Sequence, residues 1–287
     1  WHYPGPDHKD DEKIIPGECD TVYKITVRSE LENYKQFHAS TSPEIQEMLS
    51  FLPEVLGIYE FENEEDEESS KSETETKTYA NPFAADLKNK KIKGVMIMKN
   101  MLKGMQNVNW MDCKLGFRST SREKYIKNPP KYDELAQGTT YDKYGFLLLE
   151  YDVRNGKTGE VVLKGEKDYR VGPGEYDFTK SLTFEKSQEY IEKIVTDYSL
   201  EEPKINKDAC RYFIEKITAI LDFFENRCVK SYRCISFFAA VDHVNQKYEA
   251  MLVDIAYVYP EGDMAGDILG LKNIKQVFEN ALVKECN

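Results

Sequence analysis

Membrane-spanning and secretory signals are absent from this sequence. No uninterrupted apolar run approaches the roughly 20 residues that a helix needs to cross a bilayer. No charged, apolar and small-residue pattern of a secretion signal is present either. The chain begins at Trp1 rather than at a Met, so an upstream targeting segment could have preceded it. We expect a protein of the cytoplasm, the nucleus or both, with no membrane partner.

Paired cysteine motifs are also missing. The six cysteines lie far apart, and none has the C-x-x-C spacing of a zinc site or belongs to a dense disulfide framework. We interpret all six as small buried hydrophobic residues in a reducing compartment. They are Cys19, Cys113, Cys210, Cys228, Cys234 and Cys286.

Negative charge exceeds positive charge overall, but basic residues are locally concentrated. The net charge is −12, and most of the excess lies between Glu60 and Glu75, where nine acidic residues face the single base Lys71. We predict a solvated, mobile loop without a catalytic role over residues 61–77. Between Lys114 and Lys131 the balance is reversed, with six bases against one acid. This cationic stretch suits either a solvated helix face or a site for a phosphorylated ligand.

The pattern of apolar residues predicts an α+β protein with two lobes. Residues 21–26, 56–61 and 92–98 have the β-branched and aromatic content of strands, and residues 30–37 have helical character. We therefore predict a small N-terminal sheet lobe with one helix over residues 1–100. A larger α+β lobe would follow over residues 101–287.

The predicted second lobe contains a hairpin, three helices and two strands. The hairpin joins residues 144–153 to 160–163 through Asn155 and Gly156. Ser181 or Thr183 could cap the first helix, and apolar residues recur at three- and four-residue intervals from Cys210 to Phe224. Two apolar strands are predicted at 234–241 and 250–258, followed by a last amphipathic helix.

The segment Asp112-Cys113-Lys114-Leu115-Gly116 is the first candidate for chemistry. An acid and a base two residues apart point to the same side of an extended chain. The carboxylate can orient or deprotonate a hydroxyl, the ammonium can neutralise phosphate, and the glycine permits close backbone approach. By composition alone, a surface salt bridge is the favoured interpretation.

Two further charged residues lie inside apolar segments. Asp254 follows the apolar run 251–253, where a carboxylate is unfavourable unless it is paired or binds a cation, so magnesium ligation is plausible and a turn acid is the alternative. Lys24 lies in an apolar strand shortly before Glu30. A strand lysine held by a helix acid contacts nucleotide phosphates in protein kinases, although exposed strand lysines are common.

In this order, the segments resemble the inositol polyphosphate kinase family, whose signature is P-x-x-x-D-x-K-x-G. Residues 112–119 (DCKLGFRS) are similar to the signature and its continuation, and residues 20–24 (DTVYK) resemble the nucleotide-lysine strand. Further similar segments are 30–34 (ELENY), 180–183 (KSLT), 223–226 (FFEN), 253–256 (VDIA) and 270–273 (GLKN).

This resemblance implies an ATP- and Mg²⁺-dependent kinase of inositol phosphates. Asp112 and Lys114 would be catalytic, and Asp254 with Ser236 would bind the metal. The implied nucleotide-binding residues are Lys24, Glu30, Met98, Asn100 and Asp254. The implied substrate-binding residues are Lys114, Arg118, Arg122, Lys124, Lys127 and Lys180.

Several positions depart from the family pattern. Val108 replaces the signature proline, and Lys99-Asn100 stands where Glu-Asp marks the hinge. Ile235 and Ile255 replace a serine and a phenylalanine. These departures keep a non-catalytic inositol phosphate sensor as an alternative. The sequence has no H-R-D catalytic loop, which argues against a protein kinase.

The resemblance implies that the lobe over residues 1–100 binds nucleotide and that the lobe over residues 101–287 is catalytic, with a short substrate-binding insert at 119–138. Because this insert is short and Thr158-Gly159 resembles a segment of hexakisphosphate kinases, the resemblance also implies an inositol hexakisphosphate or polyphosphate kinase. A multikinase and a trisphosphate 3-kinase are the alternatives. We expect a monomer without a nucleic-acid partner.

Overall fold

The computed structural model of the protein describes residues 13–60, 92–118, 120–165 and 182–284. The predicted acidic loop at 61–77 and Lys180 lie outside these residues. The chain divides into two compact units. The first comprises residues 1–39 and 54–100, and the second comprises residues 40–53 and 101–287.

The first unit is built on a four-stranded antiparallel sheet with one helix. Its strands stand in the order β1-β2-β4-β3, so the second and fourth strands are central. The elements are β1 (Lys13–Pro16), β2 (Thr21–Val27), α1 (Arg28–Ala39), β3 (Val55–Glu60) and β4 (Ile92–Lys99). Leu31, Tyr34 and Phe37 recur on one side of α1 and are buried, as their spacing requires. The predicted sheet lobe with one helix is confirmed, and β1 was not predicted.

Residues 40–53 differ from the prediction because they belong to the second unit. Helix α2 (Pro43–Ser50) begins with a proline, whose missing N–H costs nothing in the first turn. Its Glu44 accepts hydrogen bonds from the backbone N–H groups of Val229 and Lys230, and its Glu47 pairs with Arg227 at 2.7 Å. The boundary predicted at residue 100 therefore does not account for residues 40–53, because their contacts join residues about 180 positions apart in sequence.

The second unit contains a five-stranded antiparallel sheet that carries the signature segment at its centre. The strand order is β12-β11-β5-β6-β7. The strands are β5 (Asn109–Leu115), β6 (Phe146–Arg154), β7 (Val161–Gly165), β11 (Ser236–Asp242) and β12 (Lys247–Val253). All seven residues of β11 are buried. Such continuous burial indicates that both faces of this strand are covered.

Helices and short strand pairs complete the second unit. Thr183 and Asn206 cap α6 and α7, because their side-chain oxygens accept hydrogen bonds from the backbone N–H groups of Lys186 and Ala209. The helices are α3 (Arg122–Lys127), α4 (Pro129–Ala136), α5 (Thr140–Tyr144), α6 (Phe184–Ile194), α7 (Lys207–Asn226) and α8 (Ala265–Val283). The short pairs are β8 (Thr196–Asp197) with β9 (Lys204–Ile205), and β10 (Ser231–Arg233) with β13 (Tyr257–Tyr259).

The core of the second unit lies between the sheet and helices α7 and α8. The rings of Phe213 and Phe278 join the two helices with centroids 5.1 Å apart. The predicted apolar face of α7 is buried apart from Ile214. Among the described helices, none combines the length and the apolarity that a bilayer crossing requires.

The described cysteines are all free thiols. Cys113 and Cys210 are buried as expected. Cys19 is exposed, and Cys228 and Cys234 are partly exposed, so the prediction of full burial is wrong for these three. Cys286 lies outside the described residues.

The strand predicted at 250–258 is interrupted at Asp254. This residue has a φ of +65°, in the left-handed region that ends a strand. Strand β12 therefore stops at Val253, and the chain resumes as β13 in a different pairing. Asp and Asn tolerate this conformation better than other non-glycine residues, so the interruption suits the carboxylate that stands there.

Two glycines that flank α5 provide a test of the packing behind the signature segment. Gly138 and Gly145 have φ values of +78° and +69°. A Cβ on Gly138 would meet nothing within 4 Å, whereas one on Gly145 would lie 2.2 Å from the backbone oxygen of Gly266. We expect Gly138→Ala to cost about 1–2 kcal/mol of unfolding free energy through backbone strain alone. Gly145→Ala should cost about 3 kcal/mol or more, because backbone must also move. Urea denaturation of both variants measures the difference, and equal losses would contradict this packing.

Candidate active site

The site begins with the alternation of side chains along β5. Residues 109, 111, 113 and 115 are fully buried, whereas Trp110, Asp112 and Lys114 are partly exposed on the opposite face. A strand places every second side chain on one face, so the acid and the base of the signature point the same way. The predicted common orientation of Asp112 and Lys114 is thus present in the structure.

The neighbouring strands add polar groups to the same face. In β11, Ser236 lies opposite Lys114, and Phe238 lies opposite Asp112. In β6, Glu150 lies opposite Asp112. Asp112 Oδ1 and Ser236 Oγ are buried and lack a hydrogen-bond partner of good geometry, although the serine hydroxyl is close enough to lower the pKa of Asp112 slightly. Buried oxygens in this state are suited to a ligand or a cation.

Asp254 joins this group from the strand end. Its Oδ2 lies 3.0 Å from Lys114 Nζ, and the two side chains are 28% and 12% exposed. The left-handed conformation of Asp254 costs on the order of 1–3 kcal/mol, and such strain concentrates at functional sites. The structure therefore brings together three residues, Asp112, Lys114 and Asp254, that are up to 142 positions apart in sequence.

The electrostatics of the three residues are interdependent. Burial, followed by the negative charge of Asp254, raises the pKa of Asp112 from 3.8 to about 7, while Lys114 opposes this rise. Burial acts to lower the pKa of Lys114, but the charges of Asp254 and Asp112 outweigh it and raise that pKa above its ordinary value. Lys114 consequently remains charged at any physiological pH, whereas the carboxyl group of Asp112 has a pKa of about 7 and exchanges its proton close to neutral pH.

The backbone of the signature is held from two sides. Leu115 N donates to Ile235 O, and Gly116 N donates to Gly145 O, both at 2.9 Å. Gly116 has a φ of +98°, which only glycine adopts readily, and this explains the glycine of the signature. Ile235 is fully buried, so its departure from the family serine serves core packing.

Asp267 is a residue of this region that the sequence reasoning missed. A Cβ on Gly116 would lie 3.6 Å from Asp267 Oδ1, and that oxygen is buried without a hydrogen-bond partner. Burial raises the pKa of Asp267 to about 7, against the lowering effect of its own backbone hydrogen bond and of Arg233. The signal available in the sequence was an acid in the apolar first turn of the last helix.

Four of the five predicted nucleotide residues, all except Asp254, lie in the first unit. Lys24 Nζ is 2.8 Å from Glu30 Oε1, and Thr26 Oγ1 donates to Glu30 Oε2 at 2.5 Å. All three side chains are almost completely buried. The predicted pairing of Lys24 with Glu30 is present, and Thr26 was missed. Met98 is buried in β4. The backbone N–H of Asn100 donates to Asp20 O at 2.8 Å.

The predicted substrate residues are not all equivalent. Arg122, Lys124 and Lys127 are exposed on or beside the short helix α3. Arg118 is instead engaged, because its Nε lies 2.9 Å from Asp133 Oδ1 and its Nη1 lies 3.6 Å from Asp142 Oδ1. The guanidinium of Arg118 is thus already paired, and its predicted binding to substrate stays a prediction.

An apolar patch adjoins Asp112 on the same face of the sheet. Trp110 and Phe238 stack with their centroids 6.0 Å apart. Around them are Met101, Leu102, Met105, Val108, Ala240, Met251 and Val253, most of them partly exposed. Planar apolar ligands bind to such surfaces.

Comparisons with known proteins support one family. The family description "Inositol polyphosphate kinase" matches residues 95–279, well over half of the chain. The chain belongs to the inositol polyphosphate kinase family. The predicted enzyme class, a phosphotransferase acting on inositol phosphates, is thereby confirmed.

Solved structures of inositol phosphate multikinases have the same fold. One comes from structural studies and protein engineering of inositol phosphate multikinase, with 17% identity, a TM-score of 0.58, and coverage of 88% of this chain and 98% of that chain. Another is Ipk2 of S. cerevisiae in complex with ADP and Mn²⁺, with 14% identity, a TM-score of 0.59, and coverage of 91% and 98%. No curated protein matches the sequence. At these identities the similarity establishes the fold, and it confirms the predicted α+β class.

The raised pKa of Asp112 predicts that this residue destabilises the folded protein at neutral and higher pH. The native state binds a proton at Asp112 up to about pH 7, whereas an unfolded aspartate loses it near 3.8. The free energy of unfolding should therefore fall as pH rises through this window. Asp112→Asn removes the effect, so the variant should gain at least about 1 kcal/mol relative to wild type between pH 5 and pH 8, since one pKa unit is about 1.4 kcal/mol. Urea denaturation at both pH values tests this, and a constant difference between the proteins would exclude a raised pKa.

Proposed function

We propose that this protein transfers the terminal phosphate of ATP, bound with Mg²⁺, to a polyphosphorylated inositol, with inositol hexakisphosphate or a related polyphosphate as its substrate. The observation that supports this most directly is the cluster of Asp112, Lys114 and Asp254 at one strand end, in a chain of the inositol polyphosphate kinase family. Phosphoryl transfer requires mainly positioning and charge neutralisation, which such a cluster can supply.

Asp112 and Lys114 have complementary roles in this proposal. Asp112, with a pKa near neutrality, orients the attacking hydroxyl and accepts its proton. Lys114 keeps its charge and neutralises a substrate phosphate. In the structure its ammonium is bound to Asp254, so Lys114 has to share or exchange this partner when a phosphate binds.

The residues present fit a hard divalent cation. Asp254 and Ser236 offer oxygen ligands, and the buried Ser236 Oγ has no hydrogen-bond partner of its own. Within the described part of the chain, no three His, Cys, Asp or Glu side chains form a complete metal cluster. Two protein ligands suit Mg²⁺, which keeps waters and shares its coordination with nucleotide phosphates. Bound MgATP would supply the phosphoryl group. The multikinase complex with ADP and Mn²⁺ is consistent with this assignment.

Lys24 contacts the nucleotide phosphates in this proposal. Its ammonium is buried and lies 2.8 Å from Glu30, which also accepts a hydrogen bond from Thr26. Met98 lies in β4 and Asn100 directly follows that strand, and the resemblance assigns both to nucleotide binding.

The substrate assignment depends on the short insert. Residues 120–138 form only two short helices, α3 and α4, and carry the exposed bases Arg122, Lys124 and Lys127. An open cationic wall suits a highly phosphorylated ring. Thr158-Gly159 contributes less to this argument than the sequence suggested. Gly159, with a φ of +74°, is part of the tight β6–β7 turn, and its N–H donates to Asn155 O at 2.8 Å.

The remaining parts of the proposal are based on the sequence alone. We propose a monomer that acts in the cytoplasm, the nucleus or both. The free thiols of the described cysteines are compatible with a reducing compartment. The binding of Lys180 to a substrate phosphate is also kept as a proposal.

Incubation with MgATP and tri-, penta- and hexakisphosphates of inositol tests the proposed activity. Separation of the products should show a more phosphorylated inositol, with the fastest turnover on the most phosphorylated substrates. Asp112→Asn should lower kcat by about 10²- to 10⁴-fold, as expected for loss of a general base. Asp152→Asn is the matched control, because Asp152 is a buried carboxylate on the adjacent strand, paired with Arg154. It should retain most of the kcat.

Three results would contradict parts of this assignment. Tight binding of an inositol phosphate without turnover would indicate the non-catalytic sensor. Turnover confined to trisphosphates would indicate a multikinase or 3-kinase. Full activity of Asp112→Asn would remove the proposed base.

A second test concerns the role of Glu30. Glu30→Gln removes the carboxylate charge that lies 2.8 Å from the buried ammonium of Lys24, so we expect the dissociation constant of ATP to rise about tenfold, equivalent to about 1.4 kcal/mol. Glu32→Gln on the same helix is the control, because Glu32 pairs with Arg28 on the exposed surface. Isothermal titration with a non-hydrolysable ATP analogue measures both. Equal affinities of the two variants would show that Lys24 does not depend on Glu30 for nucleotide binding.

A further inference from the structure

A polar network ties the insert to the end of the signature strand. Arg118, two residues after Gly116, donates from Nε to Asp133 Oδ1 at 2.9 Å. The hydroxyl of Tyr125 donates a hydrogen bond to the same oxygen, Asp133 Oδ1, at 3.1 Å. Asp133 belongs to α4 and Tyr125 to α3, so a single carboxylate connects both helices with the signature segment.

A second attachment starts from the chain beyond Asp254. The hydroxyl of Tyr259, in β13, accepts a hydrogen bond from Arg122 N at 2.7 Å and donates to Glu123 Oε2 at 3.0 Å. The guanidinium of Arg122 also lies 6.0 Å from the centre of the Tyr259 ring. Helix α3 is thus fixed at its start by the segment after Asp254 and near its end by the segment after Gly116.

These attachments matter because α3 is too short to hold its own position. It has six residues and no buried side chain. A helix of this length is marginal in water, and packing normally supplies the missing stability. Here the two polar attachments take that place. They determine where the exposed bases Arg122, Lys124 and Lys127 stand relative to Asp112.

We propose that Arg118 and Asp133 are positioning residues for inositol phosphate binding, which act by holding α3 and its basic side chains beside the signature strand. Arg118 has two of its nitrogens engaged by Asp133, Asp142 and the backbone oxygen of Phe117, and its side chain is only 21% exposed. The expected effect on substrate binding rests on the proposed function. In this proposal Arg118 does not contact the substrate directly.

A double-mutant cycle of Arg118→Ala, Asp133→Ala and the double variant distinguishes the two roles of Arg118. If Arg118 acts through Asp133, each single variant should raise the KM for the inositol phosphate about tenfold, which is about 1.4 kcal/mol. The double variant should be no worse than either single variant, while kcat and the KM for ATP change little. Asp133→Asn, which can still accept both hydrogen bonds, should restore most of the affinity. Tyr259→Phe should raise the same KM by releasing the other attachment.

A direct ligand role would give a different pattern. Asp133→Ala would then lower the KM for the inositol phosphate, because it frees a cation for phosphate, while Arg118→Ala would raise it. That result would overturn the proposal. Asp208→Ala is the control for loss of a carboxylate paired with arginine, since Asp208 and Arg211 form an exposed pair on α7. It should leave every constant unchanged.

Hydrogen exchange separates this proposal from the proposed function. Backbone amides of α3 should exchange at least several-fold faster in Arg118→Ala, Asp133→Ala and Tyr259→Phe than in wild type or Asp208→Ala. If wild type shows no kinase activity but this exchange pattern is found, the proposed function fails while the attachment of α3 holds. Unchanged exchange in all variants would refute the attachment itself.

Discussion

The ion pair between Lys114 and Asp254 is the interaction on which the site depends. Asp112, Glu150 and Asp254 bring negative charge to one small region, and Lys114 is the cation among them. Carboxylates this close raise each other's pKa values unless a cation compensates them. The ammonium of Lys114 keeps the group together. Burial and this balance of charges together bring the pKa of Asp112 to about 7. A cation or a phosphate that binds here changes the balance, which makes the region responsive to ligands.

The fold supplies the fixed backbone that this balance needs. Strand β5 is central in its sheet, and Gly116 is held by a hydrogen bond to Gly145. Gly145 in turn packs against the backbone of α8 at Gly266. The left-handed turn at Asp254 ends β12 where its carboxylate can reach Lys114. By contrast, helix α3 has no buried side chain and is attached by polar contacts, so its exposed bases are held more lightly than the residues of β5.

The sequence predicted most elements because their apolar spacing was clear. Strands β2, β3 and β4 follow from β-branched and aromatic content, the hairpin of β6 and β7 from its turn residues, and helix α7 from apolar residues at three- and four-residue intervals. That residues 40–53 belong to the second unit could not be predicted from apolar spacing, because their contacts with residues 227–230 leave no local pattern in the sequence. The break at Asp254 was missed for a related reason, since an apolar run continues on both sides of it.

The sequence by itself determined the reaction family, through the order of Asp112, Lys114, Gly116 and Asp254 along the chain. It also placed Asp112 and Lys114 on one face, since strand geometry alone requires this. The sequence also predicted the pairing of Lys24 with Glu30. Only the tertiary structure decided the other partners of the charged groups: Asp254 for Lys114, Thr26 for Glu30, and Asp133 for Arg118. Charge in a sequence shows that a residue can bind a phosphate. Whether its charge is already engaged depends on atoms brought together from distant parts of the chain, and for that reason we propose Arg118 as a positioning residue.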